Sequence, residues 1–369
     1  MQIHDQIYVG GKWPPPHSSG TVDVINAAFT HLLVALLLLA CAACSRAAYP
    51  DRPVMLILPF PATGSTDIAG IPRISKLLRI MQNVSTPSLT DNMVQQLQQT
   101  LAGALGQPVS VLRRARGKTN TGTRYVAQSA ADGYTLLFAD NPTITVFPVL
   151  NPSPSFDILR DLVPVAMFAR MPIALITLSD RPHESLRDVI ERAQRLPGSI
   201  NYASAGDGST SHLTGELFRA MSRAQIVHVD YNGSLPAMNA VLTAQVELGF
   251  VPLPAVLPHL GGGKIRIIAM ASGERHPAVR DVPTIAEAGV PGFDASGWFG
   301  IFVPAGTPGT IVSLLNYDIN RALSEDLLQR ALIAQGLLPA PGSSEDFRAQ
   351  VEHDRARWGS VLKTIAVKR

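Results

Sequence analysis

Short apolar runs of five to eight residues alternate with helical patterns from residue 49 onward. Most runs are apolar at consecutive positions, as expected for strands of a parallel sheet whose two faces are both covered by helices. The ten runs are residues 54–60, 108–112, 134–139, 162–169, 173–178, 200–204, 226–231, 246–251, 265–271 and 300–304. This alternation predicts an α/β fold of the doubly wound type, built from mainly parallel sheets flanked by helices.

The clearest helical patterns lie between these runs. Apolar residues recur every four positions in 93–105 and in 311–323, which predicts amphipathic helices there. The last helix is expected to begin near Ser343, where Ser-Ser-Glu-Asp resembles a capping box. It is expected to bury three large side chains, Phe347, Val351 and Trp358.

Length and composition narrow the class of protein. A chain of 369 residues is long enough for two lobes, and 46% hydrophobic with 16% charged residues is typical of a folded globular protein. The net charge is only +3, and the basic residues are scattered. Nucleic-acid binding, which needs clustered Lys and Arg, is therefore not expected.

Both cysteines, Cys41 and Cys44, lie in one apolar stretch, residues 27–44. The stretch is short for a membrane-spanning helix and ends in small residues, which favours an export signal. Leu-Leu-Ala-Cys ending at Cys41 also approaches a lipoprotein signal, so lipidation at Cys41 stays open. We expect an exported, periplasmic protein. Its first 26 residues are set apart as an atypical extension, because residues 7–26 resemble the N-terminal hairpin of aldehyde dehydrogenases.

Three loops of small polar residues follow predicted strands, at 59–67, 117–122 and 204–211. The third contains Ser204, Ser209 and Thr210 and precedes a helix. In open α/β sheets ligands bind beyond the carboxyl ends of the strands, and the first amides of a helix favour an anion. A carboxylate held between two lobes would suit such loops. The alternative is an ordinary strand-to-helix turn with a Ser or Thr cap.

Other chemistries find less support in the residues. His212 and Glu216 lie four positions apart on a helix, but a third metal ligand is missing, and a buried or capping histidine is preferred. Gly-Gly-Gly-Lys at 261–264 lacks the spacing of a phosphate-binding loop and is interpreted as a turn. We expect no catalytic residues, no metal and no cofactor.

Six segments together resemble the solute receptors of tripartite tricarboxylate transporters, the Bug or TctC family. They are PFPATGSTD (59–67), ADGYTLLFAD (131–140), INYASAGDGSTSHLTGELF (200–218), VHVDYNGSLPA (227–237), VPTIAEAGVPGF (282–293) and WFGIFVPAGTP (298–308). The resemblance implies a two-lobed periplasmic binding protein of type II, the Venus-flytrap fold. The lobes would comprise 49–172 with 292–369, and 173–291, after an apolar segment at 27–48.

The resemblance also implies a function. Such a receptor binds a small organic di- or tricarboxylate between its lobes and delivers it to the membrane subunits of the transporter. A signalling co-receptor with the same fold, or a degenerate paralogue with impaired binding, stays open as an alternative. The implied ligand-binding residues are Phe60, Thr63, Gly64, Ser65, Thr66, Thr121, Gly122, Ser204, Ala205, Gly206, Ser209 and Thr210.

The sequence departs from the family pattern at several places. Thr63 stands at a glycine position, and a threonine would be strained there if the backbone needs a positive φ. An extra segment follows Ile68, where it would cap or disturb a ligand site. Val251 stands where many relatives carry Asp, which favours a plain carboxylate over an amino acid as ligand.

Overall fold

The computed structural model describes residues 49–59, 89–114, 120–150, 156–181 and 185–366. The strands in these residues are β1 Val54–Leu58, β2 Val109–Arg113, β3 Thr135–Asp140, β4 Leu162–Met171, β5 Ile173–Leu178, β6 Asn201–Ser204, β7 Val227–Asp230, β8 Leu248–Pro252, β9 Ile265–Met270, β10 Gly297–Pro304 and β11 Leu338–Pro339. The α-helices are α1 Leu89–Leu105, α2 Asn120–Ala127, α3 Phe147–Leu150, α4 Ile158–Asp161, α5 Leu186–Arg195, α6 Thr210–Ser222, α7 Ser234–Leu242, α8 Leu253–Leu260, α9 Gly309–Leu323, α10 Asp326–Ala334 and α11 Ser344–Ala366. A π-helical turn, Pro142–Val146, leads into α3, and a short 3₁₀ helix spans Pro277–Val279.

All ten predicted strands are confirmed. Their bounds shift by one to three residues at most ends, and β10 begins at Gly297, three residues before the predicted run. The strand that the pattern missed, β11, has only two residues and pairs with β4. A two-residue strand carries no periodicity from which it could be predicted.

The strands form two mixed sheets. The first has the order β11-β4-β10-β3-β1-β2, and the second has the order β7-β6-β8-β5-β9. In the first sheet β1, β2 and β3 are parallel neighbours, and β10 runs antiparallel to both β3 and β4. In the second sheet β6 is parallel to β7 and β8, and β5 is antiparallel to β8 and β9. This is the expected two-part α/β fold. In the first sheet β10 and β11 run opposite to the other strands, and in the second sheet β5 does.

The chain passes from one sheet to the other twice. Pro172 joins β4 of the first sheet to β5 of the second, and residues 271–296 connect β9 back to β10. Strand pairing places Gly297 opposite Met171, so the two crossing points are neighbours. The lobe boundaries at 172 and 291 remain a prediction, although both crossings lie close to them.

Helix α11 packs against the cores of both sheets. Its capping box is confirmed, because the Ser343 hydroxyl accepts from the Asp346 amide at 3.0 Å and the Asp346 carboxylate accepts from the Ser343 amide at 3.3 Å. Phe347 and Val351 are buried with the first sheet, whereas Trp358 is buried with the second. The predicted burial of these three side chains is thus confirmed, and one helix links both cores.

A buried carboxylate fixes α11 where it passes between the cores. Asp354 is fully buried and accepts from Trp298 Nε1 at 2.8 Å and from the Arg357 guanidinium at 2.7 Å. Arg357 also donates to the Asp294 carbonyl. Because Trp298 lies on β10 and Asp294 in the second crossing, this network holds α11 to both. Trp298 itself packs against Phe347, so it is a core residue.

Within the described residues, every helix is too short or too polar to cross a lipid bilayer. The apolar stretch at 27–44 lies outside them.

Candidate functional site

The loop between β6 and α6 reverses the chain with small residues. β6 ends at Ser204 and α6 begins at Thr210. Gly206 and Gly208 have φ of 113° and 78°, a region that side chains rarely adopt. A Cβ at Gly206 would also lie 3.1 Å from the Tyr231 carbonyl, directly after β7. Glycine is therefore needed here to bring the loop against the neighbouring strand.

Hydrogen bonds within the loop already occupy several of its amides. They join Ala205 N to Ser211 Oγ (2.9 Å), Gly206 N to Ser204 Oγ (3.2 Å) and Gly208 N to His212 Nδ1 (3.1 Å). The loop is thus ordered by its own side chains, and a ligand would have to replace these bonds to reach those amides.

Ser209 is the N-cap of α6. Its Oγ accepts from the His212 amide at 3.2 Å and donates to the Gly206 carbonyl at 2.6 Å. The amides at the start of a helix, here those of Thr210 and Ser211, have no acceptor within the helix. The N-terminal end of α6 also carries the positive end of the helix dipole. An anion is therefore favoured at this end of α6.

Thr210 connects the two sheets. Its hydroxyl donates to Asn141 Oδ1 at 3.1 Å, and both residues are buried. Asn141 directly follows β3 of the first sheet, whereas Thr210 begins the helix that follows β6 of the second. A Cβ on Gly297 would lie 3.2 Å from Thr210 Cγ2, so β10 also approaches closely. The carboxyl end of β3 and the start of α6 therefore meet at Asn141 and Thr210, which we call the β3–α6 junction.

A second pair of strand ends meets at Gly122. Thr121 is exposed and Gly122 is buried in the first turn of α2, where a Cβ would lie 2.9 Å from both the Arg114 carbonyl and Pro59 Cα. Gly122 thus lets α2 touch the residues that follow β1 and β2. The Arg114 guanidinium stacks on the Tyr125 ring, 3.7 Å from its centroid. Because β1 and β3 are parallel neighbours, this group lies at the same sheet edge as Asn141.

Several predicted site residues lie outside the described residues. They are Phe60, Thr63, Gly64, Ser65 and Thr66, together with the extra segment after Ile68. Pro59, the last described residue before them, lies at the sheet edge that Gly122 and Asn141 share. The ligand-binding role of all twelve residues remains a prediction.

His212 and His228 stack beside this loop. Their ring centroids are 4.1 Å apart and the rings are nearly parallel, at 19°. Asp207 Oδ1 lies 3.8 Å from Nδ1 of each histidine, and His228 Nε2 is 2.7 Å from Ser204 Oγ. Glu216 is turned away from this group and accepts from Tyr202 and Arg219. The interpretation of His212 as a buried residue is confirmed, since its exposed fraction is 4%.

Asp207, His212 and His228 have the donor atoms for a metal ion, all within 4.8 Å of one another. Their orientation fits a metal poorly. An imidazole binds a metal along the lone pair in its ring plane, and two nearly parallel rings 4.1 Å apart cannot both direct lone pairs at one ion. His212 Nδ1 also accepts from the Gly208 amide. The group orders the loop through Ser204 and Gly208.

Asn141 and His228 are the residues that sequence reasoning missed. Asn141 lies within ADNPT, directly after a predicted strand, and a polar residue at that position was a usable signal. His228 lies inside β7, 24 residues from Ser204. Only the pairing of β6 with β7 brings Ser204 and His228 together, so no local pattern could reveal their contact.

Comparison with known proteins agrees with this architecture. The model of the family described as tripartite tricarboxylate transporter family receptor matches residues 93–367. BugT of Bordetella pertussis is 36% identical over 321 residues, which cover 87% of this chain and 91% of BugT. The resemblance of residues 7–26 to aldehyde dehydrogenases finds no support in these comparisons.

Two solved structures extend the comparison. R. palustris Rpa4515, solved with adipate, is 32% identical with a TM-score of 0.65, covering 86% of this chain and 98% of Rpa4515. MatC from Rhodopseudomonas palustris, solved with bound malate, is 28% identical with a TM-score of 0.64, covering 85% of this chain and all of MatC. Both match most of the chain at nearly their full length.

The stability of the protein should depend on His228 at mildly acidic pH. Burial lowers the pKa of His228 below its ordinary value of 6.5, an effect larger than the opposing attraction of Asp207. The unfolded chain therefore takes up this proton more readily than the folded one. As a result, the contribution of His228 to the unfolding free energy is retained above about pH 6.5 and is lost as the pH falls below it. We expect this group to make the urea unfolding free energy fall between about pH 7.5 and about pH 5.5.

The variant His228→Gln, which can still hydrogen-bond Ser204 but does not titrate, should show a smaller fall. His353→Gln, a change at an exposed histidine on α11, is the matched control and should keep the native pH dependence. Equal falls in the native chain and in His228→Gln would contradict the assignment.

Proposed function

Because this chain belongs to the tripartite tricarboxylate transporter receptor family, we propose that it binds a small organic dicarboxylate or tricarboxylate at the β3–α6 junction. Membership makes the chain a solute-binding receptor rather than an enzyme. The observation that carries the proposal is the hydrogen bond from Thr210 to Asn141. It brings the anion-favouring end of α6 to the carboxyl end of β3.

The chemistry of the junction suits a carboxylate. Ligand oxygens would accept from the first amides of α6 and from donors among the predicted site residues Thr63, Ser65 and Thr66. Charge-assisted hydrogen bonds contribute about 1.5–3 kcal/mol each, and a micromolar Kd corresponds to about −8 kcal/mol. Several such bonds, less the free-energy cost of association, are sufficient. Adipate in Rpa4515 and malate in MatC are of the same chemical class.

Transport follows from the same proposal. Contacts to both sheets at once would favour a closed arrangement, which membrane subunits of a tripartite transporter would recognise. We further propose a periplasmic location, with the apolar stretch at 27–44 as the export signal. Acylation at Cys41 stays a prediction within that scheme.

Titration calorimetry of the full chain tests the ligand class. The panel contains adipate, malate and further di- and tricarboxylic acids, with adipamide as the uncharged analogue of adipate. We expect saturable binding of at least one acid with a Kd on the order of micromolar, no binding of adipamide, and recovery of the acid unchanged. Binding by no acid, or conversion of the acid to a product, would refute the proposal.

A pair of cap variants separates the site from general stability. Ser209→Ala removes the N-cap of α6, and Ser185→Ala removes the equivalent cap of α5, where Ser185 and Asp188 form a capping box. Each loss should lower the unfolding free energy by about 1 kcal/mol. Only Ser209→Ala should also weaken binding of the acid identified by calorimetry, because only α6 begins at the junction. Equal affinities in the two variants would argue against a role for α6.

A further inference from the structure

Asn141 has a buried donor without an acceptor. The residue is 1% exposed, and its Oδ1 accepts from the Thr210 hydroxyl. Among the residues that the structure describes, its Nδ2, with two N–H groups, has no hydrogen-bond partner. A buried polar group left unpaired destabilises the folded protein, and native structures contain few of them. An amide that the described residues leave unpaired points to a bound partner at this place.

The position of Asn141 indicates what that partner is. The residue follows the carboxyl end of β3, beside the end of the parallel strand β1, and its side chain is bonded to the first residue of α6. An anion at the start of α6 would therefore lie beside the free N–H groups. An amide NH₂ only donates, so it pairs with acceptor oxygens such as those of a carboxylate.

We propose that Asn141 is a specificity-determining residue of the receptor, whose Nδ2 donates to a carboxylate oxygen of the ligand. This inference rests on the proposed function and adds a contact from the first sheet. Asn141 then has two roles. Its Oδ1 holds Thr210 in place, and its Nδ2 favours a ligand group that accepts a hydrogen bond. An ionised carboxylate satisfies the amide, whereas a donor group such as an ammonium leaves it unpaired.

The variant Asn141→Asp tests the donor directly. The new carboxylate still accepts from the Thr210 hydroxyl, but an oxygen replaces the donor and repels a negatively charged ligand. We expect the affinity for the acid that the native chain binds in calorimetry to fall by at least about 100-fold. Native affinity in Asn141→Asp would show that no ligand carboxylate lies beside Asn141 and would overturn the proposal.

Asn320→Asp is the matched control. Asn320 lies on α9, and its amide is already paired with the Gly342 carbonyl at 2.8 Å and with Asn316 Oδ1 at 2.9 Å. The same chemical change there should leave the affinity within about twofold of native. An equal loss in both variants would show that the effect is not specific to Asn141.

A second measurement keeps the test valid if a buried carboxylate unfolds the protein. The double variant Asn141→Leu/Thr210→Val removes both partners and leaves no unpaired polar atom at that place, a change that can be nearly neutral for stability. We expect an unliganded urea midpoint equal to or above native, together with at least about tenfold weaker binding. A strongly lowered midpoint with native affinity would show that Asn141 is only structural.

The receptor function and the role of Asn141 can be refuted separately. If the native chain binds an acid and Asn141→Asp binds it equally well, the role of Asn141 is overturned while the receptor function stands. If the native chain binds no acid in the panel, both are overturned. A shift of the Asn141 side-chain ¹⁵N–H₂ signals on addition of adipate or malate, assigned from their loss in Asn141→Leu, would support the contact directly.

Discussion

The hydrogen bond between Thr210 and Asn141 is the constraint on which this account depends. It is buried, and it joins the start of a helix over one sheet to the end of a strand in the other. Removing either partner would leave a buried polar atom without a hydrogen bond. Such bonds therefore fix geometry more strongly than their net free energy suggests. Gly297 lets β10 approach Thr210 closely, because a Cβ at this position would lie 3.2 Å from Thr210 Cγ2.

Larger elements hold the same two sheets around that bond. Helix α11 packs into both cores, and between them Asp354 bonds Trp298 of β10 while Arg357 bonds the Asp294 carbonyl. The two crossings of the chain run side by side at Met171 and Gly297. If one sheet moves against the other, the chain must therefore bend at these crossings, and α11 must stay in contact with at least one core. The β3–α6 junction lies beside this region, where contacts from both sheets reach a ligand at once.

Much of the fold could be predicted from the sequence, because burial on both faces leaves a continuous apolar run. The reversed direction of β5 and β10 could not be predicted, since an apolar run does not encode which neighbour a strand pairs with. The site divides in the same way. Small residues marked the loop after Ser204, but the contacts of Asn141 and His228 arise from elements distant in sequence. The expectation of loop amides open to a ligand also missed that neighbouring side chains occupy several of them.

The decisive measurement is a crystal structure of the full chain with its tightest-binding acid. We expect one carboxylate at the β3–α6 junction, with oxygens within about 3 Å of the first amides of α6 and of Asn141 Nδ2. A bound acid that contacts only one sheet, or that lies away from Thr210, would contradict this expectation.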